Sequence, residues 1–271
     1  MTVATSNKIP PAWNIIIYMA TIHLVALLAL LPSNFNWGAL GVAFVLYWLT
    51  AGIGITLGYH RLVCHRSFET PKWLEYLLIF CGTLACEGGP ISWIGLHRIH
   101  HKYSDTKEDP HDSNRGFWWS HMGWMLCENP ANQDIDRYSK DIVEDAFYQF
   151  CEKYFIFIQV ALGLLLFAWG GWSFVIWGIF VRLVVVFHVT WFVNSATHKF
   201  GYKSHESDDN SKNCWWVALV TFGEGWHNNH HAYQYSARHG LQWWEIDITW
   251  MTIRLLQLLG LARNVKLAPS K

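Results

Sequence analysis

Apolar positions along this chain gather into four long runs, at about residues 13–32, 37–58, 154–169 and 173–197, with few charges inside them. A membrane span needs roughly 20 apolar residues. The first, second and fourth runs meet that length. The third, "YFIFIQVALGLLLFAWGG", is short but almost uncharged. The links within each pair, "PSNFN" and "GGW", are very short, so the runs read as two helical hairpins. The pattern predicts an all-α membrane protein with four transmembrane helices. A fifth apolar stretch, "WLEYLLIFCGTLACEGG", carries Glu75 and Glu87 and breaks at Gly88-Gly89-Pro90. It reads as a membrane-surface or re-entrant helix. Residues 59–153 and 198–271 then form one helical cap, and residues 1–271 a single domain.

Composition agrees. Hydrophobic residues make up 52% of the chain and charged residues only 15%, well below the roughly 25% of soluble proteins. The formal net charge is zero, which leaves no basic field for nucleic acid. Six cysteines are scattered without a C-x-x-C pair and read as reduced, structural thiols. There is no basic segment followed by a small-residue cleavage site, so a cleaved signal peptide is not expected.

The basic residues orient the spans. Lys8 precedes the first run, ten Lys and Arg lie between the second and third, and eight follow the fourth. Neither short link carries any. Both termini and the long middle loop are therefore expected in the cytoplasm. Arg182 lies inside the fourth run, where it must pair or reach water. It is expected to snorkel and is assigned no role.

The histidines then become informative. Of 15, only His23 and His188 fall in spans. The clusters all fall on the side given to the cap: "HRLVCH" (His60, His65), "HRIHH" (His97, His100, His101), "NSATH" (Asn194, His198) and "HNNHH" (His227, His230, His231). Residues i, i+3 and i+4 of a helix share one arc about 100° wide. H-x-x-H-H on a helix therefore aims three imidazoles one way, and Asn194 and His198 share a face. His60 and His65 are about 140° apart on an α-helix, so that pair is expected to straddle a helix end, with Gly58 allowing a bend. Imidazole ligates iron, zinc and copper. Nine clustered histidines are too many for one ion and suit two ions with four or five each.

Lone histidines are more often satisfied polar residues than ligands. That is the expectation for His23, His121, His188, His205 and His239, and His111 is expected to shape its loop. No H-E-x-x-H, G-x-S-x-G or phosphate-binding glycine loop occurs. A bis-histidine haem would need pairs within the spans, and a transport path would run ionisable residues through them. A site at one end favours catalysis over passage.

The boxes H-x4-H, H-x-x-H-H and H-x-x-H-H resemble those of the membrane fatty acyl desaturases. "GYHRLVCHRSFETPKWLEYLLIFCGTLACEGGP", "HRIHHKYSDTKEDPHDSNRGFWWSHMGWM", "VNSATHKFGY" and "GEGWHNNHHAY" look like the delta-9 acyl-lipid and acyl-CoA branch, over about residues 35–245. The length is similar to bacterial and cyanobacterial members, which implies a bacterial plasma or thylakoid membrane. The resemblance implies two iron ions, O2, two external electrons and a cis double bond made in an acyl chain. It implies His60, His65, His97, His100, His101, His198, His227, His230 and His231 as ligands, with Asn194 acting through a water. It implies an acyl tunnel lined by Trp93, Thr190 and Trp191, which would otherwise read as an aromatic belt. Glu87 stands where animal members place Gln, and an apolar tunnel would raise its pKa. Asp105, Asp109, Asp112 and Glu224 lie near the boxes, where each either orients a ligand or serves as a surface or capping group.

The acyl-CoA members place Arg-Asp just before the second box and Arg-Lys after "H-x-G-W". Here those regions hold Gly95-Leu96 and Cys127, Glu128 and Asn129. This favours a glycerolipid-linked chain over acyl-CoA. With only 73 residues after His198, which must also hold the third box, no cytochrome module fits. The electron donor is expected to be a separate protein, a ferredoxin, docking near Lys102, Lys107 and Arg115. A di-iron fatty acyl hydroxylase would share the boxes, and a membrane metal-binding protein would share the histidines.

Overall fold

The computed structural model describes residues 9–269, so Lys8 lies outside the described residues. The chain is helical, with a few isolated bridges and no strand among the described residues. The helices are α1 (Trp13–Ala26), α2 (Trp37–Tyr47), α3 (Lys72–Thr83), α4 (Pro90–Tyr103), α5 (Phe117–His121), α6 (Ile135–Tyr138), α7 (Ala146–Val175), α8 (Arg182–Ser195), α9 (Trp215–Val220), α10 (His227–Ala232) and α11 (Ile248–Leu258). Three helical stretches are long and apolar enough to cross a membrane: Trp13–Leu30, Trp37–Cys64 and Ala146–Ser195. The last covers both of the later apolar runs in 50 residues, as two helices that meet at a kink and pack on each other, Gly178 against Leu166. It is broken at Gly170 (φ −145°, ψ 15°) and Gly171 (φ 69°, ψ −158°). The positive φ at Gly171 is one that side-chain-bearing residues rarely adopt.

Beyond α2 the chain keeps winding through Trp48–Cys64 with wide turns closed by i→i+5 bonds. That geometry is rare and concentrates at functional sites. Its last bond runs from His65 N to His60 O at 3.0 Å. Gly58 therefore does not bend the helix, as the sequence suggested. It lets α3 approach, because a Cβ there would meet Leu78 O at 3.0 Å. At Gly54 a Cβ would lie 2.3 Å from Gly82 N, so the two backbones touch. At 12 residues α3 is about 18 Å long, too short to cross.

Local capping fixes the helices that carry the boxes. Pro90 starts α4, and Glu152 of α7 accepts from Ile91 N at 2.8 Å and Ser92 N at 3.1 Å. A carboxylate at a helix N-terminus satisfies orphan donors and complements the dipole. Arg98, inside the second box, donates to Val63 O at 2.8 Å and Cys64 O at 3.2 Å. It so satisfies the last carbonyls of the helix that carries the first box. Six residues are too few for α10 to hold alone. Asn228 accepts from Ser204 N and His205 N at 2.8 Å, and Asn229 donates to Glu245 and His239 O at 2.9 Å. Arg182 does not snorkel. It is buried and donates to Leu84 O at 2.6 Å and Gly178 O at 3.1 Å.

Candidate metal centre

The i→i+5 closure brings His60 and His65 onto one side, with ring centroids 4.7 Å apart. The α-helical offset of about 140° does not apply where the turn is wider. α8 ends at Ser195, so His198 sits in the following turn, where Thr197 N reaches back to Phe192 O, and not on the helix that carries Asn194.

The nine histidines converge from four segments and fall into two groups. His60, His65, His97, His101 and His230 form one; His100, His198, His227 and His231 form the other. Within each group the candidate ligand nitrogens lie within 4.8 Å of one another. Each H-x-x-H-H box serves both groups. In α4 the i and i+4 histidines, His97 and His101, face the first group and His100 faces the second. In α10 the assignment is exchanged: His227 and His231 face the second group and His230 the first.

Four carboxylates set the ring orientations. His60 Nδ1 lies 2.7 Å from Glu224, His100 Nδ1 3.0 Å from Asp109, His198 Nδ1 2.9 Å from Asp105, and His231 Nδ1 2.5 Å from Asp209. A carboxylate only accepts, so Nδ1 carries the proton and Nε2 presents its lone pair. Burial would raise these carboxyls, but the hydrogen bonds they accept, and for Glu224 the Arg61 guanidinium first, override it and hold all four below the usual range. Burial and neighbouring imidazoles pull His65, His97, His101, His227 and His230 well below the ordinary histidine value. Burial takes His231 to about 4. These rings are neutral at pH 7, the form that ligates metals. His100 differs, because Asp109 outweighs burial and raises it.

The donor set fits metal ions. Nε2 of His100 and of His231 is buried with no hydrogen-bond partner. His60 Nε2 faces His230 Nε2 at 3.2 Å, and His198 Nε2 faces His227 Nε2 at 3.1 Å. Crowded lone pairs of this kind call for a shared cation. Neutral nitrogens without a thiolate suit iron, zinc or copper.

Of the carboxylates flagged in the sequence, Asp112 plays a different part: it caps the Ser113–Arg115 turn through Asn114 N. Asp209 was missed, because it lies 22 residues from His231. Arg61 was missed too. It is fully buried and donates to Glu224 at 2.9 and 3.1 Å and to Asp247 at 2.9 Å. His239 stands 4.4 Å from the His230 ring and 3.2 Å from Glu224, and His111 4.2 Å from the His100 ring. Both neighbour the centre more closely than a loop or interface role requires. His23, His188 and His121 satisfy one another through contacts of 3.1 and 3.0 Å.

Trp93, Thr190, Trp191, Glu87 and Asn194 line one cavity of about 270 Å³, together with His97. Trp93 stacks on His97 at 5.0 Å and donates Nε1 to Glu87 at 3.1 Å. Burial pushes the Glu87 carboxyl up to about 7, against hydrogen bonds from Thr190 and Trp93. A second recess of about 50 Å³ continues past His60 and His227, sharing Trp93, His97, Thr190 and Asn194 with the first.

Apolar helices of spanning length, ending in a histidine-rich centre able to hold metal beside an apolar cavity, define a membrane protein of the histidine-box type. The sequence matches the model of the family "Fatty acid desaturase" over residues 35–255, and the chain belongs to that family. It is 70% identical to the sn-1 stearoyl-lipid 9-desaturase of Synechocystis sp., over 99% of this chain and 86% of that one. It is 65% identical to the sn-1 stearoyl-lipid 9-desaturase of Anabaena variabilis over the full length of both. With the acyl-CoA 5-desaturase AL21 of Anemone leveillei it shares 44%, over 93% of this chain and 78% of that one. The chain is thus an oxidoreductase that desaturates fatty acyl chains, in a family that generally uses two irons.

Proposed function

We propose that this desaturase places a cis double bond at the delta-9 position of a saturated chain, stearoyl by preference, still esterified to a membrane glycerolipid. One observation carries the choice of substrate: among the described residues, no lysine or arginine lines the cavity beside the histidine centre. A polyphosphate carrier such as CoA needs such cations. Cys127, Asn129 and Asn132 stand in the wall instead. At Gly95 a Cβ would meet Ile135 O at 3.0 Å, so no arginine fits there without moving α6. The names of the relatives that share 70% and 65% identity support the same reading.

Two iron ions would be held by the five-histidine and four-histidine groups, with Asn194 acting through a water. Bound iron supplies the reductive activation of O2 that an unactivated C–H bond requires. The balance is one O2, two electrons and two protons taken up, two hydrogens removed from adjacent carbons, and two waters released. The chain's own residues orient and exclude. Asp105, Asp109, Asp209 and Glu224 hold their histidines in the Nδ1–H tautomer. Trp93, braced between His97 and Glu87, presents a flat apolar wall to the acyl chain. Thr190 and Trp191 continue that wall.

The break at Gly170-Gly171 supports reading the 50-residue helix as two spans, giving four in all. The distribution of Lys and Arg supports cytoplasmic termini and a cytoplasmic cap, within one domain over 1–271. Electrons would come from a ferredoxin-like acidic protein docking near the exposed Lys102, Lys107 and Arg115. The deciding comparison supplies reconstituted enzyme and one electron donor with either stearoyl-CoA or a stearoyl glycerolipid. Desaturation of the glycerolipid is expected. Faster turnover of the CoA ester, without transfer of its chain to lipid, would overturn the substrate assignment.

A further inference from the structure

A glycerolipid carries two acyl chains, and the catalytic cavity admits one. Along the membrane helices lies a second apolar space, a groove of about 450 Å³ between α1, α7 and the start of α8. Its floor is Ile22, Val175, Ile179 and Leu183, all buried, and its rim includes the exposed Val160 and Leu164. The two spaces meet at the seam between α1 and α7. Tyr18 lines both. Met19 and Phe155 face the catalytic cavity, while their helix neighbours Ile22 and Ile156 face the groove.

We propose that this groove seats the acyl chain that is not desaturated, so that one glycerolipid straddles Tyr18 with a chain on each side. The inference rests on the lipid-linked reading above. Two further observations fit it. From Ile156 to Phe167 the groove follows α7 for about 16 Å. That is about half of the roughly 30 Å hydrocarbon core and most of the apolar run 154–169, a length along which an extended acyl chain can lie. At the upper end stands Gln159, 6% exposed, with neither its carboxamide oxygen nor its nitrogen hydrogen-bonded. A buried, unmatched amide on an apolar helix is costly unless a ligand meets it. Gln159 lies six residues beyond Lys153, the last charged residue before the apolar run, about 9 Å along the helix. That is the depth at which headgroup gives way to hydrocarbon, where ester carbonyls lie. The Gln159 N–H would donate to an ester carbonyl, anchoring the glycerol backbone over Tyr18.

The test uses the full-length enzyme in mixed micelles, with its iron and electron donor, and compares two substrates that carry the same stearoyl chain. One is a diacyl glycerolipid and the other its monoacyl (lyso) counterpart. At Gly163 a Cβ would meet only Ile179, at 3.8 Å, so Gly163→Leu extends into the groove without a backbone clash. The expected result is a fall of about tenfold in the ratio of kcat/KM for diacyl over monoacyl lipid, the equivalent of two methylenes lost from burial. Gln159→Leu removes the amide at similar size and should lower the same ratio, even if the glycine variant folds poorly. An unchanged ratio in both variants would overturn the groove assignment. Wild-type enzyme that desaturates neither glycerolipid, yet accepts stearoyl-CoA, would overturn the lipid-linked reading and the groove with it.

Discussion

Asp209→Ala should weaken one of the two histidine groups and spare the other. Asp209 accepts from His231 Nδ1 at 2.5 Å, from Ser207 Oγ at 2.9 Å and from Ser211 N and Oγ at 3.0 and 2.5 Å. His231 belongs with His100, His198 and His227. Removing the carboxylate frees the ring to rotate and lets Nε2 take the proton that Nδ1 now holds. Loss of such a ligand-orienting partner costs about 10- to 100-fold in metal affinity, or roughly 1.4–2.8 kcal/mol. The five-histidine group has no contact with Asp209 among these hydrogen bonds and should keep its affinity. Iron retained per chain, measured against a graded chelator, should therefore fall in two steps, the second group emptying at about 10- to 100-fold lower chelator than in the wild type. Asp112→Ala, which touches no histidine of the centre through its cap, serves as the comparison. If Asp209→Ala leaves both steps in place, or moves both equally, the assignment of His231 to a separate group is wrong.

Three further outcomes are expected. His100→Ala and His230→Ala, one from each group, should each reduce desaturation by at least about 100-fold while the protein remains in the membrane fraction, since each removes a ligand rather than a ligand's partner; near-normal unsaturated product from either would remove that residue from the centre. Glu87, with its pKa pushed up to about 7, is neutral below that pH and ionised above it. Wild-type activity should therefore decline as pH rises through about 7 because a charge then faces the acyl chain, and Glu87→Gln should flatten that decline; identical profiles for the two proteins would refute the link. Rates with a ferredoxin donor should drop as salt rises, and a salt-independent rate would exclude docking on Lys102, Lys107 and Arg115.

Much of the centre was legible in the sequence because helical spacing is a local property. H-x-x-H-H on a helix must aim three rings into one arc, and nine rings in two groups follow from ligand number. The exchange between boxes was not legible. Whether His100 or His101 joins His230 depends on how α4 and α10 cross, which no single segment encodes. His60 and His65 straddle a helix end as expected, since the winding stops at Cys64, but the offset of about 140° assumed the α-helical turn, and the i→i+5 winding that brings the two rings together leaves no mark in the hydrophobic pattern. Asp209 and Arg61 were hidden for opposite reasons. The first lies far along the chain from its partner, and the second was counted among the basic residues that orient the membrane spans. The junction of the third and fourth apolar runs was visible too: the non-helical backbone falls at Gly170 and Gly171, inside the short link, and a Cβ at Gly178 would meet Leu166, so the chain folds back there.

The exchanged assignment of the two boxes has a mechanical consequence. α4 and α10 each contribute histidines to both candidate metal positions, so neither position has a helix of its own. A slip of one residue in either helix, about 100° of rotation, would withdraw donors from both positions together. The spacing between the two histidine groups is then tied to the helix itself, through the step from i+3 to i+4. A change of helix register would thus act on both groups at once, whereas loss of one orienting carboxylate, as at Asp209, acts on a single group.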